Sequence, residues 1–449
     1  MQQIDQLIHA KWIITCEDKN KVLENHALAI KDGKILAILP SAEANTAYQA
    51  KQQEHFSTHA VMPGFINSHT HISMNLFRGL ADDMELMDWL TTYIWPAEGK
   101  WVSQDYVTDA SQLAMAEMIR CGTVCFNDMY FFLGATAQVA ETVGMRAHIG
   151  MTVIDVPTAW AKTTEEYFAK AIDFYQQYKN SPLVTPTLAP HSTYTVSQEN
   201  LARVKALADE YKLKINIHLQ ESAAEVQGSL QKYKKRPLQI LDEIGMVTPD
   251  LIAVHMTQIN DQDKEILQRT KPTIVHCPES NMKLASGACP VDDLVKMGLN
   301  VALGTDGAAS NNDLDMIGEM RTASFLSKLT TNDPVALPAE QVLKMATLHG
   351  AKALGIDQVT GSLTPGKSAD FIAIDLAQME TQPLYHPISQ IVYASSRQQV
   401  TDVWVKGQRL LKNRQLLTLD EKELLKKAQS WSSKIQGTTS VDQKLVRSS

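Results

Sequence analysis

Residues 60–69, AVMPGFINSH, form the first of eight short apolar runs that decide the fold of this chain. Helical patterns such as SQENLARVKALADEYK (197–212) lie between successive runs. The other seven runs are GTVCFNDM (122–129), RAHIGMTV (146–153), LVTPTLAPH (183–191), KINIHLQE (214–221), LIAVHMT (251–257), PTIVHCPE (272–279) and NVALGTDG (300–307). Eight strand–helix repeats over roughly 300 residues predict an α/β fold of the closed (β/α)8 TIM-barrel type. An open doubly wound sheet is the alternative, but no glycine fingerprint follows the first run.

Both ends of the chain differ from this middle part in their sequence pattern. Short apolar runs are broken there by turn signals such as KDGK at residues 31–34, which indicates a hairpin. We therefore predict one small β-sandwich built from both ends, with residues 1–61 as its first part and residues 366–425 as its second. Residues 62–365 would form the catalytic barrel. Residues 426–449 would form a C-terminal helix with a polar tail that frays or contacts another subunit.

Composition narrows the class of protein. The 449 residues carry 42 basic and 50 acidic side chains, and the resulting charge of −8 argues against a nucleic-acid-binding surface. The N-terminus has no apolar block typical of a signal peptide, and no apolar stretch approaches the ~20 residues needed to cross a membrane. The five scattered cysteines favour a reducing cytoplasm, and we expect Cys121 and Cys125 to be buried rather than metal ligands. We expect a cytoplasmic homo-oligomer that binds neither nucleic acid nor membrane.

Chemically distinctive residues lie at the ends of the apolar runs or directly after them, at the end of a barrel where enzymes of this type place their chemistry. Five of the 13 histidines and one aspartate do so: His69, His71, His191, His218, His255 and Asp306. Taken singly, each could be a loop, core or turn residue. Taken together, His69, His71, His218 and Asp306 bring three imidazoles and one carboxylate to one end of the barrel. Such a set suits one divalent ion with an open position for water.

Five segments together resemble the amidohydrolase superfamily, and more closely its 5-methylthioadenosine/S-adenosylhomocysteine deaminase branch, with triazine chlorohydrolases as near relatives. They are PGFINSHTH (63–71), HLQES (218–222), HCPESNMKLASG (276–287), GTDGAASNNDLDM (304–316) and GSLTPGKSADFIAID (361–375). The resemblance covers nearly the whole chain. Binuclear members bridge two metals with a lysine on the fourth strand, and SPLVTPTLAPHSTY (181–194) has none. The resemblance thus implies one metal ion per subunit, with Zn²⁺ first choice and Fe²⁺ second.

The resemblance also implies roles in a hydrolytic deamination. A bound divalent ion lowers the pKa of water from 15.7 towards ~7. Glu221 would donate a proton to the aromatic ring, while His255 and Asp306 would orient and deprotonate the attacking water. The alternatives are a surface carboxylate at a helix start for Glu221 and a backbone-bonded core residue for His255. We expect His276 to brace the loop that follows it rather than to take part in the chemistry.

For substrate binding, the resemblance implies that Glu98 accepts hydrogen bonds from the ribose hydroxyls and that His191 adds a contact. Glu221 and Asp306 would also contact the substrate. Glu98 could instead be a solvated loop charge. Three large side chains of the same loop could form apolar walls for a thioalkyl group or simply pack the loop: Met87, Trp89 and Trp95.

One departure from the family pattern bears on the substrate. Members that accept S-adenosylhomocysteine offer arginines after the third strand, whereas this chain has none between Arg146 and Arg203. Lys162 could substitute in part, but it lacks the planar fork that suits a carboxylate. We therefore expect 5'-methylthioadenosine or adenosine to be better substrates. The competing hypotheses are a hydrolase of guanine, cytosine or an s-triazine, and a barrel that has lost catalysis. The second conflicts with the presence of all four ligands together with Glu221 and His255.

Overall fold

The computed structural model describes residues 1–446, and for residues 437–446 it describes the backbone alone. The strands are β1 (Gln2–Ile14), β2 (Val22–Lys31), β3 (Lys34–Pro40), β4 (Tyr48–Pro63), β5 (Phe65–Thr70), β6 (Thr123–Tyr130), β7 (Arg146–Val153), β8 (Val184–Pro190), β9 (Ile215–Leu219), β10 (Leu251–His255), β11 (Thr273–His276), β12 (Val301–Leu303), β13 (Phe371–Asp375), β14 (Val400–Val405), β15 (Gln408–Lys412) and β16 (Gln415–Leu416).

The α-helices are α1 (Ser41–Ala47), α2 (Leu86–Asp88), α3 (Trp95–Trp101), α4 (Gln104–Arg120), α5 (Leu133–Val143), α6 (Thr164–Tyr178), α7 (Gln198–Tyr211), α8 (Ala223–Tyr233), α9 (Pro237–Glu243), α10 (Asp261–Thr270), α11 (Pro278–Lys283), α12 (Val291–Lys296), α13 (Met316–Thr331), α14 (Ala339–Met345), α15 (Leu348–Leu354), α16 (Pro387–Tyr393) and α17 (Glu421–Val446). Short 3-10 turns lie at Ile72–Phe77, Met379–Thr381 and Arg397–Gln399, and a π-helical turn spans Trp89–Ile94.

Strands β5 to β12 form one parallel sheet in chain order, and helices separate most successive strands. The first and last strands of this sheet, β5 and β12, lie close together. The backbone N–H of Asp306 donates to His69 O at 3.1 Å, and Asn67 Nδ2 donates to Thr305 Oγ1 at 2.7 Å. A Cβ at Gly304 would lie 2.8 Å from the His69 backbone, so only glycine permits this approach. The predicted (β/α)8 barrel is confirmed.

A second sheet of eight strands joins the two ends of the chain, as predicted, in the order β16-β15-β14-β13-β4-β1-β2-β3. Strand β4 pairs in parallel with β1 and antiparallel with β13. The predicted hairpin at residues 31–34 joins β2 to β3. Its Gly33 has φ +70°, and a Cβ there would lie 2.5 Å from Lys406 O in the turn between β14 and β15. The sheet therefore curves until two of its turns touch, around a core that includes Phe56, Phe371 and Trp404.

Helix α17 packs on the barrel through α4. Trp431 lies edge-on to Tyr106, its indole Nε1 donates to Asp109 Oδ2 at 3.0 Å, and Lys427 pairs with Asp109 at 2.9 Å. The prediction for the polar tail falls mainly on residues 437–449, whose side chains lie outside the described part. All five cysteines are buried and unpaired, as expected for Cys121 and Cys125. None of the helices within residues 1–446 is long and apolar enough to cross a bilayer.

Candidate active site

The four predicted metal ligands meet at the carboxyl ends of the barrel strands. His69 and His218 lie on β5 and β9, while His71 and Asp306 follow β5 and β12. His218 Nε2 is 3.2 Å from Nε2 of both His69 and His71. Asp306 Oδ1 is 3.4 Å from His69 Nε2 and 3.2 Å from His71 Nε2. The four ligand atoms all lie within 4.8 Å of one another.

This spacing fits a single divalent ion. Two ligand atoms that each lie ~2.0–2.2 Å from the same ion can be at most ~4.0–4.4 Å apart, and the four distances found here are shorter than that limit. Asp306 Oδ1 is buried without a hydrogen-bond partner. Its other oxygen, Oδ2, accepts from Ser280 Oγ and Ser310 Oγ, each at 2.7 Å. The two hydroxyls therefore fix the carboxylate and leave Oδ1 facing the imidazoles.

The charges of the cluster favour a cation as well. Burial lowers the pKa of His69 to about 4 and that of His218 far below its usual range, so both rings are neutral, the form that binds a metal. Burial also acts to lower the pKa of His71, but the negative charge of the Asp306 carboxylate beside it outweighs burial and raises that pKa to about 9. The buried carboxylate thus draws a positive charge into the cluster, which a divalent ion would supply.

Outer contacts orient two of the three imidazoles. His71 Nδ1 lies 2.6 Å from Met129 O and His218 Nδ1 lies 2.9 Å from His191 O. A ring that donates from Nδ1 keeps the Nε2 lone pair free for a metal. Near His69 Nδ1, the Asn216 amide nitrogen lies at 3.3 Å while Asn216 Oδ1 has no partner. If the Asn216 amide is rotated by 180°, its Oδ1 accepts the N–H at His69 Nδ1. The Nε2 lone pair of His69 is then free for a metal, as in His71 and His218.

Glu221 and His255 lie beside the four ligands. His255 is buried with φ +73°, and its Nδ1 lies 2.8 Å from Asn281 Oδ1. Its Nε2 faces Glu221 Oε2 at 3.8 Å. Glu221 is only 7% exposed, which excludes a solvated surface carboxylate, and burial raises its pKa. A raised pKa keeps the proton that a general acid must donate.

A cavity of about 370 Å³ opens onto this cluster. Glu98 lines it and is half-buried, and burial raises the pKa of its carboxyl group to about 7. His191 also lines the cavity, with Nδ1 2.8 Å from Thr195 Oγ1. Trp89 and Trp95 are wall residues, whereas Met87 is exposed and does not line the cavity. The cavity is therefore lined by both polar and apolar side chains.

No lysine or arginine of the described residues lines the cavity. The segment after β7 contributes Val156, Pro157, Thr158 and Ala159 instead. Lys162 is exposed, and its Nζ donates to Thr158 O at 2.6 Å. Within the described structure, the buried Nδ1 of His276 has no hydrogen-bond partner, so the expected bracing by this side chain has no visible support.

Sequence reasoning missed the supporting contacts of the site. Ser280 and Asn281, which hold Asp306 and His255, are both in the HCPESN segment that carries the family resemblance. Their position there was a usable signal. The supporting roles of Met129 O and Asn216 had none, because a backbone oxygen or one strand amide has no distinctive spacing.

Comparisons with known proteins show which family and fold this chain shares. A model of the amidohydrolase family matches residues 60–410. A 5-methylthioadenosine/S-adenosylhomocysteine deaminase from Saccharophagus degradans is 44% identical over 432 residues, covering 96% of this chain and 97% of that protein. The crystal structure of an adenosine deaminase from Xanthomonas campestris with bound zinc is 44% identical with a TM-score of 0.96, covering 97% and 100% of the two chains. An atrazine chlorohydrolase from Arthrobacter aurescens with zinc has a TM-score of 0.89 at 19% identity, covering 95% and 100%, which shows a shared fold alone.

Proposed function

The chain belongs to the amidohydrolase family, and from that premise we propose that it catalyses hydrolytic deamination of an adenine nucleoside. Water and the nucleoside give the inosine analogue and ammonia. The substrates we propose are 5'-methylthioadenosine and adenosine, with S-adenosylhomocysteine a poorer one. The observation that carries the proposal is the buried pair Glu221 and His255 beside the four-ligand cluster, inside a cavity that also contains Glu98.

We propose that His69, His71, His218 and Asp306 hold one Zn²⁺ per subunit. Three neutral imidazoles and a carboxylate suit zinc, and Fe²⁺ is the second candidate. The zinc in the Xanthomonas campestris structure supports this choice. When bound, such an ion lowers the pKa of water from 15.7 towards ~7 and so supplies a nucleophile at neutral pH.

Residues of the chain carry out the proton transfers of the reaction. Glu221 delivers a proton to the ring nitrogen next to the carbon that bears the amino group, so that electrons entering the ring are accepted. His255 is held at Nδ1 by Asn281, and its Nε2 is free to accept a proton from the attacking water. His255 then passes the proton that it accepted to the amino group, which leaves as ammonia, and the hydroxyl group left on the ring carbon returns a proton to Glu221. Asp306 is fixed through Oδ2 and directs Oδ1 to the same point.

Binding of the nucleoside is assigned to the rest of the cavity. The Glu98 carboxylate can accept two hydrogen bonds from the ribose diol, and His191 adds a contact near the ring. Trp89 and Trp95 give the apolar wall that a methylthio group needs. The alternative substrates, guanine, cytosine and s-triazines, have no ribose to pair with Glu98.

The direct test is an assay of ammonia release and ultraviolet absorbance with a panel of heterocycles. We expect turnover of 5'-methylthioadenosine and adenosine, with little activity on guanine, cytosine or s-triazines. A preference for a base or triazine without ribose would contradict the proposal.

Substrate choice within the adenine nucleosides follows from the absence of a cation in the described cavity wall. The amino-acid end of S-adenosylhomocysteine carries a carboxylate, and a buried carboxylate without a partner is unfavourable. One missing hydrogen bond to a charged group is worth ~1.5–3 kcal/mol, or roughly 10–150-fold. We expect kcat/KM for 5'-methylthioadenosine to exceed that for S-adenosylhomocysteine by about this factor.

A gain-of-function variant sharpens this prediction. Val156 lines the cavity and is 49% exposed, so it can accept a longer side chain. Val156→Arg should raise kcat/KM for S-adenosylhomocysteine relative to 5'-methylthioadenosine. Val156→Gln, which is shorter than arginine and polar but uncharged, is the control. The explanation fails if S-adenosylhomocysteine is the best substrate of the unmodified enzyme, or if both variants change the ratio equally.

We propose further that the protein works in the cytoplasm as a homo-oligomer, without nucleic-acid or membrane partners. Five buried, unpaired cysteines support the reducing compartment. Phe325 and Leu329 of α13 are 51% and 79% exposed, and a second subunit would cover them. Light scattering of the purified protein gives the subunit number.

A further inference from the structure

The segment that carries Glu221 is held in an unusual backbone conformation. Gln220, directly before it, has φ +49°, in the left-handed region that residues with a Cβ seldom adopt. Such a conformation persists only where the surroundings fix it, and it is found preferentially at functional sites.

Both peptide groups next to Gln220 are held firmly. Its carbonyl oxygen accepts from the backbone N–H groups of Thr257 and Gln258, both at 3.1 Å. The Thr257 hydroxyl donates to Glu221 O at 2.6 Å. The side chain of Gln220 is buried, and its Nε2 donates to Asp263 Oδ2 at 3.0 Å. The carbonyl side of the segment is therefore fixed by the neighbouring loop after β10.

The N–H side is fixed by one carboxylate, that of Glu225. Its Oε1 accepts from the backbone N–H of Gln220 at 3.1 Å, and its Oε2 accepts from that of Glu221 at 2.8 Å. Glu225 is the third residue of α8, whose N-cap Ser222 accepts from Glu225 N at 3.2 Å. In a capping box, a glutamate at this position accepts the N–H of the N-cap residue itself. Here it reaches past Ser222 to the two residues before it.

We propose that Glu225 is a positioning residue that aims Glu221 at the reacting ring by binding both N–H groups of the Gln220–Glu221 segment. The inference rests on the proposed function. A carboxylate has two acceptor oxygens, so it can bind two converging N–H donors at once. A glutamine side chain can accept through one oxygen only, and its NH₂ group would face the second N–H donor. Glu225→Gln therefore changes the anchor while it keeps the volume of the side chain.

The experiment compares Glu225→Gln with the unmodified enzyme on 5'-methylthioadenosine. We expect kcat to fall by ~10–100-fold, because displacement of a catalytic group by about 1 Å can cost 10²-fold. KM and metal content should stay unchanged, since Glu225 neither belongs to the ligand cluster nor lines the cavity. The amide hydrogens of residues 220 and 221 should exchange faster in the variant.

Helix α6 provides a matched control. Its N-cap Thr163 accepts from Glu166 N at 3.2 Å, and Glu166 Oε2 accepts from Lys162 N at 2.7 Å. Glu166 likewise reaches past its N-cap residue, but it binds one backbone N–H instead of two, and no catalytic residue lies in that segment. Glu166→Gln should keep kcat within about twofold of the unmodified enzyme. Ser222→Ala weakens the start of α8 but leaves Glu225 in place. It should therefore lower the melting temperature and leave kcat almost unchanged.

The outcomes separate the possible explanations. The proposal is overturned if Glu225→Gln keeps full kcat, if its loss of activity follows loss of metal, or if Glu166→Gln loses as much. If the unmodified protein deaminates no nucleoside, the proposed function fails, and amide exchange decides the anchoring role by itself. Unchanged exchange at residues 220 and 221 would then refute it.

Discussion

Replacement of Glu221 by glutamine is expected to lower kcat by ~10²–10⁴-fold, the usual worth of a positioned proton donor. The amide can still donate a hydrogen bond to the ring nitrogen, but it has no proton to give up as electrons enter the ring. Binding should change little, because the two side chains have the same shape. The measurement is steady-state deamination together with the metal content of the variant.

The buried position of Glu221 makes this effect specific. Burial raises its pKa, which a solvated carboxylate would not experience, and its Oε2 lies 3.8 Å from His255. Glu199, in the first turn of α7, is an exposed glutamate at a helix start. Glu199→Gln is therefore the control and should keep kcat. Near-normal turnover by Glu221→Gln would rule out the assigned role.

Replacement of His69 by alanine is expected to remove the metal and bring deamination down to background. Removal of a residue that merely supports a ligand already weakens metal binding by ~10–100-fold, and loss of a ligand should cost more. The ring of His69 is buried and contributes Nε2 to two of the four distances in the cluster. Metal analysis and activity of the same preparation check this expectation.

A buried histidine outside the cluster controls for damage to the barrel. His148 lies on β7, and burial lowers its pKa to about 3, so it is also a neutral buried ring. His148→Asn should retain the metal, with thermal unfolding measured for both variants. If His69→Ala bound a full complement of metal, the assigned ligand set would be incorrect.

The barrel and the ligand set could be predicted from the sequence because both follow from topology. Parallel strands covered by helices are apolar along their length, and their carboxyl ends meet at one end of the barrel. Residues as distant in sequence as His69 and Asp306 therefore lie close together once the eight strands close into a barrel. The five unpaired cysteines and the sheet built from both chain ends followed from composition and turn signals in the same way.

The contacts that orient these residues could not be predicted. Ser222 and Glu225 have the spacing of an ordinary capping box, and only the left-handed backbone of Gln220 turns that glutamate towards the catalytic segment. Similarly, Trp89 and Met87 are two residues apart, yet only Trp89 lines the cavity. The segment between β5 and α4 determines that difference. It consists of short helical turns, and its sequence has no regular spacing of apolar residues from which the direction of a side chain could be predicted.

The most direct test of the account is to count the metal in the purified protein. Elemental analysis should find one divalent transition-metal ion per chain, a chelator should remove both the ion and the deaminase activity, and added Zn²⁺ should restore them. A fully active enzyme with no stoichiometric metal, unaffected by chelation, would contradict the central claim.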